Sequence, residues 1–276
     1  MAKDRNEMKL KNKTIIITGA SRGIGRAIAL KCARDGANIV IASKTTEKHP
    51  KLEGSIYTVA EEVEAAGGNV LPIQVDVRDE AQIEVMVSKT VEKFGGVDVL
   101  INNAGAIHLA SLETTPMKRY DLVQSVNARA VFLCAQKTLP YLKKSKNAHI
   151  LNMSPPINFE TKWLKQNLAY MISKYGMTIC TIGLSSELNQ YGIAVNSLWP
   201  RTSIATAAIQ VHFGEEMMKQ SRTPEIMAEA AYEMITTTGC QLTGKTLFDE
   251  DVLRDRGRTD FSKYAVDPTK ELLIFS

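Results

Sequence analysis

Apolar residues in this chain gather in short unbroken runs, and between the runs they recur every three to four positions. The runs occupy residues 14–17, 37–42, 70–75, 97–101, 148–153 and 193–198. Runs of this length, rich in Ile and Val, predict strands buried on both faces, as a parallel sheet requires. The periodic stretches predict helices over residues 26–33, 56–66, 79–94, 120–142 and 168–189, with Asp79 as an N-cap and Asp35-Gly36 and Gly67-Gly68 as stops. Helical spacing returns at 205–220 and 224–236, before a last short strand at 246–248. Strand and helix alternate without a linker, a shift in composition or an internal repeat. That alternation predicts an α/β fold: one Rossmann-type, doubly wound parallel sheet of about seven strands flanked by helices. Residues 1–276 read as a single domain, with a polar N-terminal segment at 1–12 and a C-terminal tail at 250–276.

Composition agrees with this picture. Hydrophobic residues make up 44% of the 276, enough for a sizeable core. The net charge is only +4 and basic residues are interleaved with acidic ones, which argues against a nucleic-acid partner and leaves small acidic ligands open. Cys32, Cys134, Cys180 and Cys240 are scattered, with neither a CxxC pair nor His partners at metal spacing. Reduced, mostly buried thiols are predicted, with no disulfide framework and no metal site. His49, His108, His149 and His212 stand alone and read as structural or exposed. The N-terminus lacks the apolar core of a signal peptide and no run approaches membrane-spanning length, which predicts an intracellular setting, cytoplasmic by default. The terminal Leu273-Ile274-Phe275-Ser276 does not match the peroxisomal tripeptide signal.

The first strand runs into Thr18-Gly19-Ala20-Ser21-Arg22-Gly23-Ile24-Gly25 and then into a helix. Such a turn brings backbone N–H groups and the positive end of a helix dipole to one place, where glycines let a phosphate approach. A dinucleotide pyrophosphate site is one reading; a glycine-rich turn tightening a strand–helix connection is the other. Tyr170 and Lys174 are four residues apart on a predicted helix and so share a face. An ammonium about 5 Å from a phenol, at an effective dielectric of about 20, favours phenolate by about 3 kcal/mol. That would make Tyr170 an acid/base near neutral pH. Taken alone, the pair also reads as two ordinary surface residues.

Combined with Asn102-Asn103-Ala104-Gly105, the glycine turn and the Tyr170–Lys174 spacing resemble the short-chain dehydrogenase/reductase family over nearly the whole chain. The resemblance implies hydride transfer between a nicotinamide cofactor and a carbonyl or secondary alcohol. It makes Tyr170 the proton donor or acceptor, and Lys174 the residue that lowers its pKa and holds the nicotinamide ribose. Asn127, in Ser125-Val126-Asn127-Ala128, matches the helix asparagine whose backbone kink positions a water in the proton relay. Thr18, Gly19, Ser21, Arg22, Gly23, Ile24 and Gly25 would form the pyrophosphate turn. Asp76 and Val77 match residues beside the adenine, Asn102 matches a residue near the adenosine ribose, and Ala104 and Gly105 complete that cofactor-facing turn. Pro200, Ile204 and Thr206 belong to the segment that holds the nicotinamide carboxamide. The resemblance also implies a homodimer or homotetramer built through the two longest helices, and it admits a peroxisomal or mitochondrial location.

Charge points to the cofactor subtype. An acidic residue after the second strand would bind the ribose hydroxyls of NAD, but this chain has Ser43-Lys44 there, with Arg22 in the turn and Lys48 and Lys51 on the adjacent loop. Converging cations predict NADP(H). Two departures stand out. Family members commonly place the catalytic serine where this chain has Pro155; either Ser154 is shifted into place by the altered loop or that interaction is missing. The family's Pro-Gly after the sixth strand is Pro200-Arg201 here, and Ile204-Ala205-Thr206 arrives one residue late. Arg201 either meets an anionic substrate or is a surface arginine.

Two functions follow. One is an NADP(H)-dependent enzyme acting on a hydrophobic or lipid-derived small molecule, its cleft walled by residues 155–166 and 204–220. Leu109, Ile157, Phe159, Trp163, Met217 and Met218 would make that cleft apolar, unless they pack in the core. The other is an NADP(H)-binding regulatory or scaffold protein with little turnover, motivated by Pro155 and the displaced Pro200 segment.

Overall fold

The computed structural model describes residues 8–47, 54–165 and 167–274; Lys48, His49 and Lys51 lie outside the described residues. Seven strands form one sheet: β1 (Thr14–Thr18), β2 (Asn38–Ser43), β3 (Asn69–Gln74), β4 (Val99–Asn102), β5 (Ala148–Asn152), β6 (Ile193–Trp199) and β7 (Thr246–Phe248). All pairings are parallel and the order is β3-β2-β1-β4-β5-β6-β7. The helices are α1 (Gly23–Ala33), α2 (Ile56–Ala65), α3 (Glu80–Phe94), α4 (Met117–Gln124), α5 (Ala130–Leu142), α6 (Thr161–Leu164), α7 (Leu168–Leu188), α8 (Ala207–Lys219), α9 (Glu225–Ile235) and α10 (Asp249–Asp255).

The unbroken apolar runs are explained by two buried faces. Successive side chains of a strand point to opposite sides. Ile15, Ile17, Ile39 and Ile41 therefore join Ile28, Val59, Ile226 and Leu253 on the α1, α2, α9 and α10 side. Ile16, Val40, Leu100 and Ile150 join Met86 and Leu133 on the α3 and α5 side. Each fully buried Ile or Leu contributes about 1.5–3 kcal/mol.

The chain winds outward from β1 to β3, then returns to place β4 on the other side of β1. Ile17 of β1 pairs with Ile101 of β4, so the two strands end level and open a crevice at their carboxyl ends. The later site residues fall along this edge.

Several elements differ from expectation. The helix predicted over 120–142 begins at Met117 and is interrupted by a π-turn at Ser125–Arg129. The one-turn α6 and the short α10 are too brief to leave a periodic signal. Within the C-terminal tail the described residues 250–274 carry most of α10, Phe261 and Tyr264 are buried, and Ser203 N donates to the Leu273 carbonyl at 3.0 Å. Among the described residues, no helix is long and apolar enough to cross a membrane.

Candidate active site

The glycine turn joins β1 to α1 and is locked to the turn after β4. Asn103 Nδ2 donates to the carbonyls of Thr18 and Gly19 at 2.9 and 3.0 Å, while the backbone N–H groups of Asn103 and Ala104 donate to Thr18 Oγ1. The packing leaves no room for side chains. A Cβ on Gly19 would lie 2.8 Å from Ala104 Cα, and one on Gly25 would lie 2.5 Å from Asn103 Nδ2. Gly19 also has φ +69°, where glycine is favoured. Asn103 is a structural member of the site that sequence reasoning passed over; its signal was an amide placed directly after a strand end.

This cradle suits a nicotinamide dinucleotide. Arg22 is the N-cap of α1 and offers no side-chain acceptor, and the first turn holds no acidic residue. The N-cap side chain thus bonds none of the leading amides of α1, which lie at the positive end of the dipole. A diphosphate satisfies both. Thr206, the N-cap of α8, is brought against the same turn: a Cβ on Gly23 would lie 3.3 Å from its methyl group. Pro200 and Ile204 are buried, and the Ala205 N–H is bonded to the Arg222 carbonyl.

The cationic side of the site is already partly paired. Lys44 Nζ lies 3.1 Å from Asp76, which also takes three contacts from the Arg78 guanidinium. Hydrogen bonding from Arg78 holds the Asp76 carboxyl well below the usual range. Arg22 Nη2 donates to the Gly54 carbonyl at 2.8 Å, and Ser21 and Ser43 share a 3.1 Å hydroxyl contact. Val77 is buried. Asn102 is buried as well, and its amide donates to Asn152 Oδ1 within the sheet rather than facing the crevice.

Tyr170 and Lys174 occupy the first two turns of α7. The π-turn that carries Asn127 packs against this helix, and a Cβ on Gly176 would lie 2.8 Å from the Ala128 methyl. Asn127 is fully buried: its Oδ1 accepts from Ala106 N at 2.8 Å, and its Nδ2 donates to the Ala106 carbonyl and to Ser173 Oγ. Ser173 in turn donates to the Tyr170 carbonyl at 2.6 Å. Lys174 Nζ donates to the Met153 carbonyl at the end of β5 and lies 3.3 Å from Met177 Sδ. It makes no hydrogen bond to Tyr170. Burial pushes Tyr170 up, against the lowering expected from a nearby ammonium, and pushes Lys174 down to about 7.

Ser154 is buried and faces Thr178, whose hydroxyl lies 3.0 Å from Ser154 Oγ and donates to the Pro155 carbonyl. Tyr170 and Ser154 share no hydrogen bond. Arg201 is bound into the fold: both oxygens of Asp251 lie 2.6 Å from its Nη2, and its guanidinium stacks 3.9 Å from the Phe248 ring centroid. That arrangement leaves it a structural clamp. Leu109, Ile157, Phe159, Trp163, Met217 and Met218 all lie outside the two buried core clusters. Phe159 is 79% exposed and edges against Tyr175, whose hydroxyl donates to the Asn158 carbonyl. Cys32 and Cys134 are buried, with thiols pushed up to about 12, whereas Cys180 and Cys240 are half-buried. Among the described residues, no group of three or more His, Cys, Asp or Glu is placed to hold a metal ion.

A family model described as short chain dehydrogenase matches residues 13–213. The chain is 54% identical over 268 residues to hydroxysteroid dehydrogenase-like protein 2 of Rattus norvegicus, a match covering 97% of this chain and 51% of that protein. It therefore spans about half the length of that curated relative. Among solved structures, a short chain dehydrogenase from Mycobacterium thermoresistibile superposes with a TM-score of 0.91 at 49% identity, covering 96% of this chain and 95% of that one. A metagenomic short-chain oxidoreductase solved in complex with NADP superposes with a TM-score of 0.72 at 25% identity, covering 87% and 97%.

Proposed function

The chain belongs to the short-chain dehydrogenase family, and from that premise we propose that it is an NADP(H)-dependent oxidoreductase transferring hydride between nicotinamide and a carbonyl or secondary alcohol. One observation carries the reading: Tyr170 and Lys174 stand on successive turns of α7, tied through Ser173 to the buried Asn127. The preference for NADP(H) rests on Arg22 and Lys44 beside the glycine turn and on the absence of an acid after β2. The metagenomic oxidoreductase of 25% identity binds NADP and an NADH-dependent reductase of 27% identity binds NAD, so the choice rests on this chain's own residues.

When bound, the nicotinamide supplies or accepts the hydride. The α1 amides, Thr18, Gly19, Ser21 and Gly23 to Gly25 would hold the diphosphate, while Thr206 and the Ile204 backbone would hold the carboxamide. Lys174 would orient the ribose. Burial keeps the Tyr170 phenol protonated at neutral pH, so it serves as a proton donor to a carbonyl oxygen that gains charge during reduction. Pro155 brings no hydroxyl, and Ser154 is engaged with Thr178, so stabilisation of that oxygen falls chiefly on Tyr170. Leu109, Phe159, Trp163, Met217 and Met218 favour a hydrophobic or lipid-derived substrate. Exposed Phe132 on α5 and Ile172, Ile179 and Ile182 on α7 favour a homo-oligomer.

Incubation with deuterated NADPH and a panel of aldehydes and ketones tests the reading. Label transfer is expected, and Tyr170→Phe is expected to slow turnover by about 10²–10⁴ with cofactor affinity held within about threefold. A normal rate in that variant overturns the role of Tyr170. The second reading, a cofactor-binding protein with little turnover, is favoured by Pro155 and by the engaged Ser154; tight NADPH binding without label transfer would establish it.

A further inference from the structure

Among the described residues, Lys174 is a buried cation without an acidic partner. It is 5% exposed, and burial lowers its proton affinity. An ammonium in such a place needs compensation from neutral groups. Three surround it, each from a different element. The Met153 carbonyl follows β5, Met177 Sδ comes from the next turn of α7, and the indole of Trp199 ends β6, its ring centroid 4.9 Å from Nζ. A carbonyl contributes one acceptor and a thioether only a weak one. The ring face contributes a cation–π attraction that grows when the cation is desolvated.

We propose that Trp199 is a positioning residue for Lys174: its indole face closes a seat that holds the ammonium at the carboxyl ends of β5 and β6. This role rests on the proposed cofactor reading only in its consequence for ribose binding. Trp199 is itself fixed by backbone pairing with Phe248 of β7, so the seat belongs to the sheet edge rather than to a loop. Without the ring, the lysine chain has no aromatic wall on the β6 side, and its head group is free to leave the level at which the nicotinamide ribose binds.

The chain has two tryptophans, Trp163 and Trp199, so incorporation of 5-fluorotryptophan gives two fluorine resonances, assigned with Trp163→Phe. In the cofactor-free protein, Lys174→Met is expected to move the Trp199 resonance and leave Trp163 in place. An unmoved Trp199 resonance overturns the proposal. Trp199→Phe keeps an aromatic face and is expected to hold NADPH affinity and kcat/KM within about threefold, while Trp199→Leu weakens NADPH binding about tenfold. Equal affinities in the two variants overturn the proposal. If the unaltered protein binds neither NADPH nor NADH, the cofactor reading fails while the fluorine measurement still decides the seat. That measurement stands whether or not Trp199→Leu folds.

Discussion

The side-chain amide of Asn127 donates to Ser173 Oγ at 2.8 Å, coupling the π-turn before α5 to the second turn of α7. The Ser173 hydroxyl then donates to the Tyr170 carbonyl, so the serine joins a buried kink to the backbone beneath the proposed acid. Ser173 is fully buried and acts through Asn127 and the Tyr170 backbone. Replacing it by Ala leaves a donor of Asn127 unpaired in the core. The expected result is a stability loss of about 1–3 kcal/mol, read by denaturant unfolding, and a fall in kcat of about tenfold with KM nearly unchanged. Ser173→Thr should restore much of both, since it keeps the hydroxyl.

The close approach between Gly25 and Asn103 makes a sharper prediction about folding. A methyl group at position 25 would lie 2.5 Å from Asn103 Nδ2 and 2.8 Å from the Gly19 carbonyl, neither of which can move without breaking the lock between the two turns. Gly25→Ala is expected to cost about 1–3 kcal/mol and to abolish cofactor binding. Gly183 on α7 has open space around its Cβ position. Gly183→Ala should therefore raise stability by about 0.5–1 kcal/mol, as helix propensity dictates. Thermal unfolding of the two variants, with calorimetric titration of NADPH, checks both signs.

How far the chain could be read in advance depended on where each element's determinants lie. The strands were legible because a strand buried on both faces writes its burial into consecutive residues, as Ile15, Ile16 and Ile17 do. Periodicity did not show the π-turn, since the bonds that hold Asn127 come from Ala106, 21 residues earlier, and from Ser173 on another helix; the kink at Asn127 was implied only by the family resemblance. The four-residue spacing of Tyr170 and Lys174 correctly put them on adjacent turns, but it carries no information about which acceptor the ammonium finds. Here Met153, just past β5, and Trp199 of β6 decide it, while burial raises the Tyr170 pKa. Arg201 was ambiguous for the same reason: Phe248 and Asp251, which hold it, are distant in the chain.

Cofactor selectivity offers a third test. Arg22 donates to the Gly54 carbonyl and Lys44 pairs with Asp76, so both cations are already anchored beside the turn. A phosphate on the adenosine ribose would gain charge-assisted hydrogen bonds from both, whereas NADH offers them only hydroxyls. Arg22→Ala and Lys44→Ala are each expected to reduce the ratio of NADPH to NADH affinity by about tenfold or more, at about 1.5–3 kcal/mol per bond to a charged group. Ratios unchanged in the double variant would remove the case for NADP(H).

The last prediction concerns pH and lies away from the crevice. His149 of β5 is 2% exposed; its Nε2 is buried without a partner, and burial lowers its pKa from 6.5 to about 4 despite a bond to the Thr237 carbonyl. Because the folded pKa is depressed, the unfolded chain binds the extra proton first as acid is added. The stability contributed by the neutral imidazole is thus complete above about 6.5, declines as pH falls, and is fully lost below about 4. A shift of that size corresponds to roughly 3 kcal/mol. Replacing His149 with Gln, which cannot take up the proton, is expected to lower stability at pH 7.5 through poorer packing while flattening its decline between pH 6.5 and 4. Urea unfolding of both proteins across that range checks the sign, and parallel slopes would show that the acid sensitivity of the fold arises elsewhere.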